Sequence, residues 1–403
     1  MSFDEAQPRA IPAHVPPELV VDFDYKGGGA LHPDPHRFMI DACADRPPIF
    51  YTPANGGHWV VQRYADVRHV FNTWQIFSSW PSGIPPRPDT GFKLVPVELD
   101  PPAHHEFRRV LGPMFSPGAV RRLQAGIEER SIGLVDRLVA RGRCDFVEDF
   151  AAKLPTGVFL DLLGLPADRL DQFLAWELDA IRGSGEVRDA AYAEITAYLT
   201  RFVNERDPQP GSAALVDQLL LATKDRGEPL TRVDVLGVCM LLYLAGLDTV
   251  TNTMAFIWRH LAADDDLRAA LAADPARIPD AIDEFLRIFA VPNMARHVVE
   301  DVVIGGVDIR KGDSVLLPTM IANRDEREFP DPTRLDIDRK PRSYLSFGFG
   351  IHRCLGVFLA KAELECALRT WLARIPDFRV EPQPEPLGMV GPTLGLTMLR
   401  LHW

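Results

Sequence analysis

The stretch richest in reactive groups is Ser346-Phe347-Gly348-Phe349-Gly350-Ile351-His352-Arg353-Cys354-Leu355-Gly356. A loop punctuated by glycines sets one cysteine just ahead of a helix start. Free backbone N–H groups and the positive end of the helix dipole favour a thiolate there. Gly350 and Gly356 let a flat partner come close to the backbone, because no side chain intervenes. A dinucleotide fingerprint fits poorly, since its third glycine would fall at position 353, which is Arg. The other cysteines, Cys43, Cys144, Cys239 and Cys366, show no C-x-x-C spacing and read as small buried hydrophobes.

Three further segments carry groups that could act. Glu284 and Arg287 stand three apart on one helical face, which by itself is an ordinary ion pair. Ala245-Gly246-Leu247-Asp248-Thr249 puts an acid, an alcohol and a glycine inside an apolar helix. Buried polar groups are costly unless partnered, and Gly costs about 1 kcal/mol relative to Ala in a helix. Two readings stand open: a kink eased by Thr249 bonding to a carbonyl one turn back, or a site of chemistry. His104 and Arg108 lie one helical turn apart on a common face.

The elements that position these groups are mainly helical. Residues 1–35, rich in Pro and Gly, predict a surface arm. His58–Gln62 predicts a strand, followed by a helix over 64–73. Residues 80–100 hold five prolines and two glycines among the fixed points of a long irregular loop, a candidate substrate lid. Helix follows helix from Pro101 to about Leu261. The longest periodic block, 231–261, opens at Thr231 as N-cap with Asp234 three residues on, and is apolar almost all round. A helix from Pro275 to Phe289 follows, then short strands (297–303, 307–309, 314–317), a Pro-rich meander over 329–341, a helix from Leu355 to Arg374 and terminal strands over 378–403. The expectation is one large domain, mainly α with a minor β part; regular strand–helix alternation of a doubly wound sheet is missing.

At 403 residues the chain is long enough for an ample core, and its 46% hydrophobic and 25% charged content is that of a globular protein. With 44 Lys plus Arg against 56 Asp plus Glu, the net charge is −12. Phosphate-backbone binding as a main activity is disfavoured. The scattered cysteines suit a reducing compartment, the first twenty residues lack the apolar core of a signal peptide, and the apolar run 235–247 is shorter than the ~20 residues a bilayer span needs. A soluble cytoplasmic protein without nucleic-acid or membrane partners is expected.

The cysteine loop resembles the haem-ligand loop F-x-x-G-x-x-x-C-x-G of the cytochrome P450 superfamily, matched by Phe347, Gly350, Cys354 and Gly356. The resemblance extends in order along most of the chain, to the E-x-x-R pair, the Asp248-Thr249 segment and an H-x-x-x-R at His104 and Arg108. It implies the cytochrome P450 fold, with the long central helix over haem b and Cys354 as thiolate ligand of the iron. Ala245, Phe347, Gly348 and Gly356 would lie against the macrocycle. His104, Arg108, Arg296 and His352 would meet the propionates. Thr249 and Asp248 would serve oxygen activation, with Gly246 leaving room for O2. Glu284, Arg287 and Arg334 would lock the scaffold behind the haem, with Arg339 the alternative third member.

Within the family the chain is most similar to bacterial soluble enzymes of the camphor-hydroxylase type. Two polar substrate anchors of that type correspond here to Phe92 and Met294. The pocket implied is Phe92, Leu94, Val97, Leu241, Leu244, Val291, Pro292, Met389 and Val390, nearly all apolar, suited to a small terpenoid or norisoprenoid. The resemblance implies a monooxygenase that uses O2 and two electrons from a [2Fe-2S] ferredoxin with its reductase. No flavin or iron–sulfur segment is apparent in the chain. Arg108, Arg109, Arg339, Lys340, Arg342, Arg353 and Lys361 would form a basic docking patch on the cysteine side. The alternatives are a peroxide-using or non-hydroxylating haem-thiolate enzyme, or a haem-based sensor or carrier; neither needs the Asp248-Thr249 pair.

Overall fold

Thr231 opens the apolar block as its sequence predicts. Its hydroxyl accepts from the Asp234 N–H at 3.1 Å, and the Asp234 carboxylate accepts from the Thr231 N–H at 3.0 Å. The computed structural model describes residues 10–86, 91–183, 185–225, 227–340, 342–382 and 387–403; part of the candidate lid, residues 87–90, lies outside these. The helices that build the site are α1 (Ala103–Leu111), α2 (Pro117–Val139), α3 (Lys153–Leu163), α4 (Arg232–Gly246), α5 (Asp248–Leu261), α6 (Ile278–Ile288) and α7 (Val357–Arg374).

The block expected as one helix is thus two, α4 and α5, meeting at Leu247 (φ −95°, ψ −61°). Thr249 Oγ1 donates to the Ala245 carbonyl at 2.9 Å, which gives the hydroxyl a local partner at the break. Together Arg232–Leu261 is long and apolar enough to cross a membrane, with mean hydropathy 1.8, where a shorter run was expected. In this fold that apolarity is used against protein: α4 packs into a cluster with Phe159, Phe173 and Leu199, and α5 into the main core with Phe146, Phe150 and Trp371.

The main core is pinned by stacked and edge-on aromatics. Phe146 stacks on Trp258 of α5 at 4.7 Å, and Trp258 meets Trp371 of α7 edge-on at 5.9 Å. Each such pair adds about 1 kcal/mol beyond burial. α5 and α7, the elements nearest the two reactive segments, are therefore held to one another.

The β part is small. The strands of interest are β1 (Ile49–Thr52), β2 (His58–Val61), β3 (Phe77–Ser78), β4 (Asn293–Val298), β5 (Ser314–Pro318), β6 (Gly388–Met389) and β7 (Gly395–Leu396). The first five form one sheet in the order β1-β2-β5-β4-β3, with β2 and β5 parallel and the other pairs antiparallel. β6 and β7 form a separate hairpin. The N-terminal arm is more than a wrap, because the Val21 N–H bonds the Tyr51 carbonyl and Val21, Phe23 and Tyr25 enter the main core.

Candidate active site

A cavity of about 290 Å3 opens where the two helical clusters meet. Its wall comes from the segment before α1, from α1, α3, α4, α5 and α7, from residues 286–294, and from the loop 346–356. Cys354 is the exposed member of five free cysteines; the other four are buried in protein. The same wall includes Phe347, Gly348, Gly356, Leu359 and Ala360, together with Ala245, Gly246 and Thr249.

Three features fix the loop. Gly348 and Gly350 adopt φ of +65° and +69°, a region that favours glycine. A Cβ on Gly350 would sit 2.7 Å from the Phe71 carbonyl oxygen. The Cys354 N–H donates to the Phe347 carbonyl at 2.8 Å and the Gly348 N–H to that of Leu345 at 2.8 Å, closing the loop on itself. Asn323 then ties it to the scaffold, accepting from the Leu345 N–H at 2.7 Å and donating to Ser346 Oγ at 2.9 Å.

Behind Asn323 stands the E-x-x-R pair, with Glu284 3% and Arg287 1% exposed. Arg287 is bidentate to Glu284 (2.7 and 2.9 Å) and also donates to the carbonyls of Asn323, Pro332 and Arg334. The third charged member is Arg339, whose Nε donates to Glu284 Oε1 at 3.1 Å. Arg334, expected in that place, is exposed and among the described residues contributes backbone groups, its carbonyl accepting from Arg287 and Arg339 and its N–H donating to the Asp331 carbonyl. The meander turns the side chain at 334 outward and returns the chain to Glu284 five residues later.

The Gly356 N–H, Arg108 and Arg353 pull the pKa of the Cys354 thiol down, but burial outweighs them and the net direction is up.

At the edge of the cavity, His104 and His352 face one another with ring centroids 4.3 Å apart. Among the described residues, both nitrogens of His104 and Nε2 of His352 are buried without a hydrogen-bond partner. Burial, with His352 and Arg108 close by, pushes His104 down to about 3, so it is neutral. Arg108 lines the same wall, its pKa lowered mainly by burial. Arg296, on β4, is 4% exposed and lies over the Phe71 ring, and its guanidinium donates to the Ala295 carbonyl at 2.7 Å. Burial brings it to about 10, still charged at neutral pH. Asp100 was not singled out by the sequence reading. Its carboxylate accepts from Ser78 Oγ at 2.5 Å and lies 3.9 Å from His352 Nε2, an electrostatic contact beyond hydrogen-bond length. Burial raises it, but His352 and Ser78 more than compensate and hold it below the usual range.

This donor set fits an iron porphyrin. A soft sulfur faces the cavity from a glycine cradle, and the Arg108 guanidinium lines its wall with the His104 and His352 imidazoles, as anionic carboxylates require; Arg296, expected beside them, is close enough to His352 to lower its pKa but is not in the wall.

The expected apolar pocket is met in part. Val97, Leu241, Val291 and Pro292 line the cavity, as does Met294. Phe92, Leu94, Leu244, Met389 and Val390 are not in its wall: Phe92, Leu94 and Leu244 pack into the α4 cluster, and Val390 into the main core. The segment after Phe92 reaches the cavity through Val95, Pro96 and Val97. Pro155, Val158, Phe159, Leu162 and Phe289 were missed, since helix periodicity marks an apolar face without showing whether a cavity or a neighbour covers it.

The expected basic patch is largely neutralised. Arg109 pairs with Asp225, Arg342 with Asp280 and Asp283, Lys361 with Asp283 and Arg339 with Glu284. Arg353 and Lys340 are exposed and make no ion pair among the described residues.

Residues 181–398 match the family model "Cytochrome P450". A probable cytochrome P450 127A1 of Sinorhizobium fredii is 36% identical over 98% of this chain and 97% of its own length. A vitamin D(3) 25-hydroxylase of Pseudonocardia autotrophica is 32% identical over 87% of this chain and 88% of its own. The crystal structures of CYP101J2 and CYP101C1 each superpose with a TM-score of 0.87 at 31% identity, covering 98% of this chain and all of theirs. With its sulfur-bearing loop, buried E-x-x-R scaffold and broken central helix around one cavity, the chain belongs to the cytochrome P450 family of haem-thiolate monooxygenases.

Proposed function

We propose that this enzyme hydroxylates a small hydrophobic molecule of terpenoid or norisoprenoid type. The observation that carries this is the apolar part of the cavity wall: Val97, Val158, Phe159, Leu241, Val291 and Met294 carry no polar substituent, and the Thr253 hydroxyl in the same wall donates to the Thr249 carbonyl at 2.7 Å. Binding there is by apolar burial and shape, at about 25 cal/mol per Å2 removed from water.

Cys354 would ligate the haem iron, while Arg108 and Arg296 would neutralise the propionates and His104 and His352 donate hydrogen bonds to them. Bound haem supplies the reductive activation of dioxygen that lets one oxygen atom enter an unactivated C–H bond. The polypeptide's part is to keep that face dry and to meter protons. Gly246 and Ala245 leave the helix surface open to the cavity and Thr249 lines it beside them; Asp248, next to Thr249 in the chain but outside the wall, would be the proton carrier. Supporting this over a peroxide-using enzyme, sensor or carrier is the presence of the acid–alcohol pair at the break between α4 and α5.

Electrons would come from a separate [2Fe-2S] ferredoxin and its reductase, with Arg353 and Lys340 as the free cations of the cysteine side. The five unpaired cysteines support a cytoplasmic setting, and the net charge of −12 argues against a nucleic-acid partner. Spin-state titration of the purified holoenzyme against small terpenoids and against polar analogues of equal size tests the substrate class. A high-spin shift with the apolar set supports it; a shift confined to the polar set overturns it.

A further inference from the structure

Inside α4 stands a glycine that the helix itself does not need. Gly237 lies among Val235, Leu236, Val238 and Cys239, all of them buried, and glycine is a poor choice for a helix interior. Its use lies outside the helix. A Cβ at 237 would sit 2.3 Å from the Lys93 carbonyl oxygen and 3.0 Å from Val95 Cγ2. The Val95 N–H donates to the Gly237 carbonyl at 3.3 Å, so the second half of the loop 80–100 rests backbone to backbone on α4. Only glycine admits this approach.

The stretch that rests there is a closed turn. The Glu98 N–H donates to the Leu94 carbonyl at 2.9 Å, and the buried Glu98 carboxylate accepts from the Leu94 N–H at 2.7 Å and from Ser82 Oγ. The Leu99 N–H donates to the Pro96 carbonyl at 3.1 Å. Asp100 then fastens the end of the loop to its beginning, accepting from Ser78 Oγ and from the Ser79 N–H. Closed in this way, residues 94–99 shift as one body. That body supplies Val95, Pro96 and Val97 to the cavity wall, and α4 supplies Val238, Leu241 and Leu242. Gly237 is where the loop and the helix meet, so it governs how closely these two parts of the wall stand.

We propose that Gly237 is a positioning residue that sets the size limit of the substrate pocket, by seating the Glu98-closed turn on α4 and so holding Val95, Pro96 and Val97 close to the helix. This rests on the reading of the cavity as the pocket for a small hydrophobic molecule given above. Carbon–oxygen contacts are ordinarily about 3.3–3.6 Å, so one methyl added at 237 drives the turn off the helix by about 1 Å and widens the wall along that seam. The pocket then admits molecules that the parent turns away. Gly237 touches no substrate; it acts through the three loop residues.

The test uses imidazoles of graded bulk that bind haem iron through nitrogen: imidazole itself, 4-phenylimidazole and 4-(4-biphenylyl)imidazole. Their dissociation constants, read from the Soret shift, report room in the pocket without turnover and whatever the natural substrate. Holoenzymes of the parent, Gly237→Ala, Val95→Ala and the double change Gly237→Ala/Val95→Ala are compared, each with its haem content measured. The parent is expected to bind 4-phenylimidazole and to discriminate against the biphenylyl compound; equal affinity for the two would overturn the proposal. Gly237→Ala should leave imidazole within about twofold and tighten the biphenylyl compound about tenfold, the scale on which an apolar pocket registers a methylene. Parental affinities in Gly237→Ala, or the uniform weakening of all three ligands that a merely structural loss produces, would overturn the role of Gly237. If Gly237→Ala does not retain haem, the double variant carries the test, because Val95→Ala removes the methyl 3.0 Å from the added carbon and leaves chiefly the Lys93 carbonyl to yield. It should bind the biphenylyl compound more tightly than Val95→Ala alone, and equal binding would overturn the proposal. A parent that binds imidazole but neither aryl compound would overturn the reading of the cavity as an apolar pocket.

Discussion

Replacing Arg339 and Arg334 separately by Ala discriminates between two wirings of the scaffold behind the cavity. Arg339 has a 9% exposed side chain and donates to Glu284 Oε1 at 3.1 Å and to the carbonyls of Pro330, Asp331 and Arg334. Its loss removes one charge-assisted bond, worth about 1.5–3 kcal/mol, and strips a donor from three meander carbonyls. Glu284 keeps Arg287, so the full penalty of about 3–5 kcal/mol for an abandoned buried charge does not apply. The expected destabilisation is about 3 kcal/mol. Arg334 gives backbone groups, which Ala retains, so Arg334→Ala should cost less than about 0.5 kcal/mol. Urea unfolding followed by fluorescence reads both, with the slope against denaturant checked for constancy. Equal losses, or a larger loss for Arg334→Ala, would refute this wiring.

Gly350→Ala forces a side chain into φ +69° and against the Phe71 carbonyl; about 3 kcal/mol of stability and much of the retained haem should be lost, measured by thermal unfolding and haem content. His36 and His58 are held near 3 and 4 by burial, below their ordinary 6.5. The unfolded chain therefore binds more protons than the native one below pH 6.5, and stability falls as pH drops from 6.5 toward 4, by about 2.5 kcal/mol per unit from these two. His58→Gln should reduce that slope by about one proton in pH-dependent urea unfolding; an unchanged slope contradicts the burial argument. Phe92→Tyr should leave spin-state titration with a cyclic ketone unchanged, since Phe92 is not in the cavity wall; tighter binding would return it to the pocket.

What the sequence made legible was local. The capping box at Thr231 and Asp234 and the helical spacing of His104 and Arg108 depend on neighbours a few residues away and stand in the structure as expected, whereas the bare side of Gly350, read as room for a flat partner, lies against the Phe71 carbonyl. What it hid was set by distant chain. Whether Arg334 or Arg339 reaches Glu284 depends on how the meander turns, which composition does not encode. Arg342 and Lys361 look free in sequence because Asp280 and Asp283, which neutralise them, belong to α6. Met389 and Phe92 are as apolar as Met294, and only packing decides which of them borders the cavity. Leu247 marks a break between helices that Gly246 and Thr249 hinted at without locating. Gly237 carried a weak signal, a glycine inside an apolar helix, that was open to reading.

The central claim is that the sulfur of Cys354 binds iron as a thiolate. The absorbance spectrum of the dithionite-reduced, carbon monoxide-bound protein tests it most directly, measured on the parent and on Cys354→His. The parent is expected to show the strongly red-shifted Soret band of thiolate ligation, and the variant the shorter-wavelength band of an imidazole ligand. A parent band at the imidazole position, or a red-shifted band that survives Cys354→His, would contradict the account.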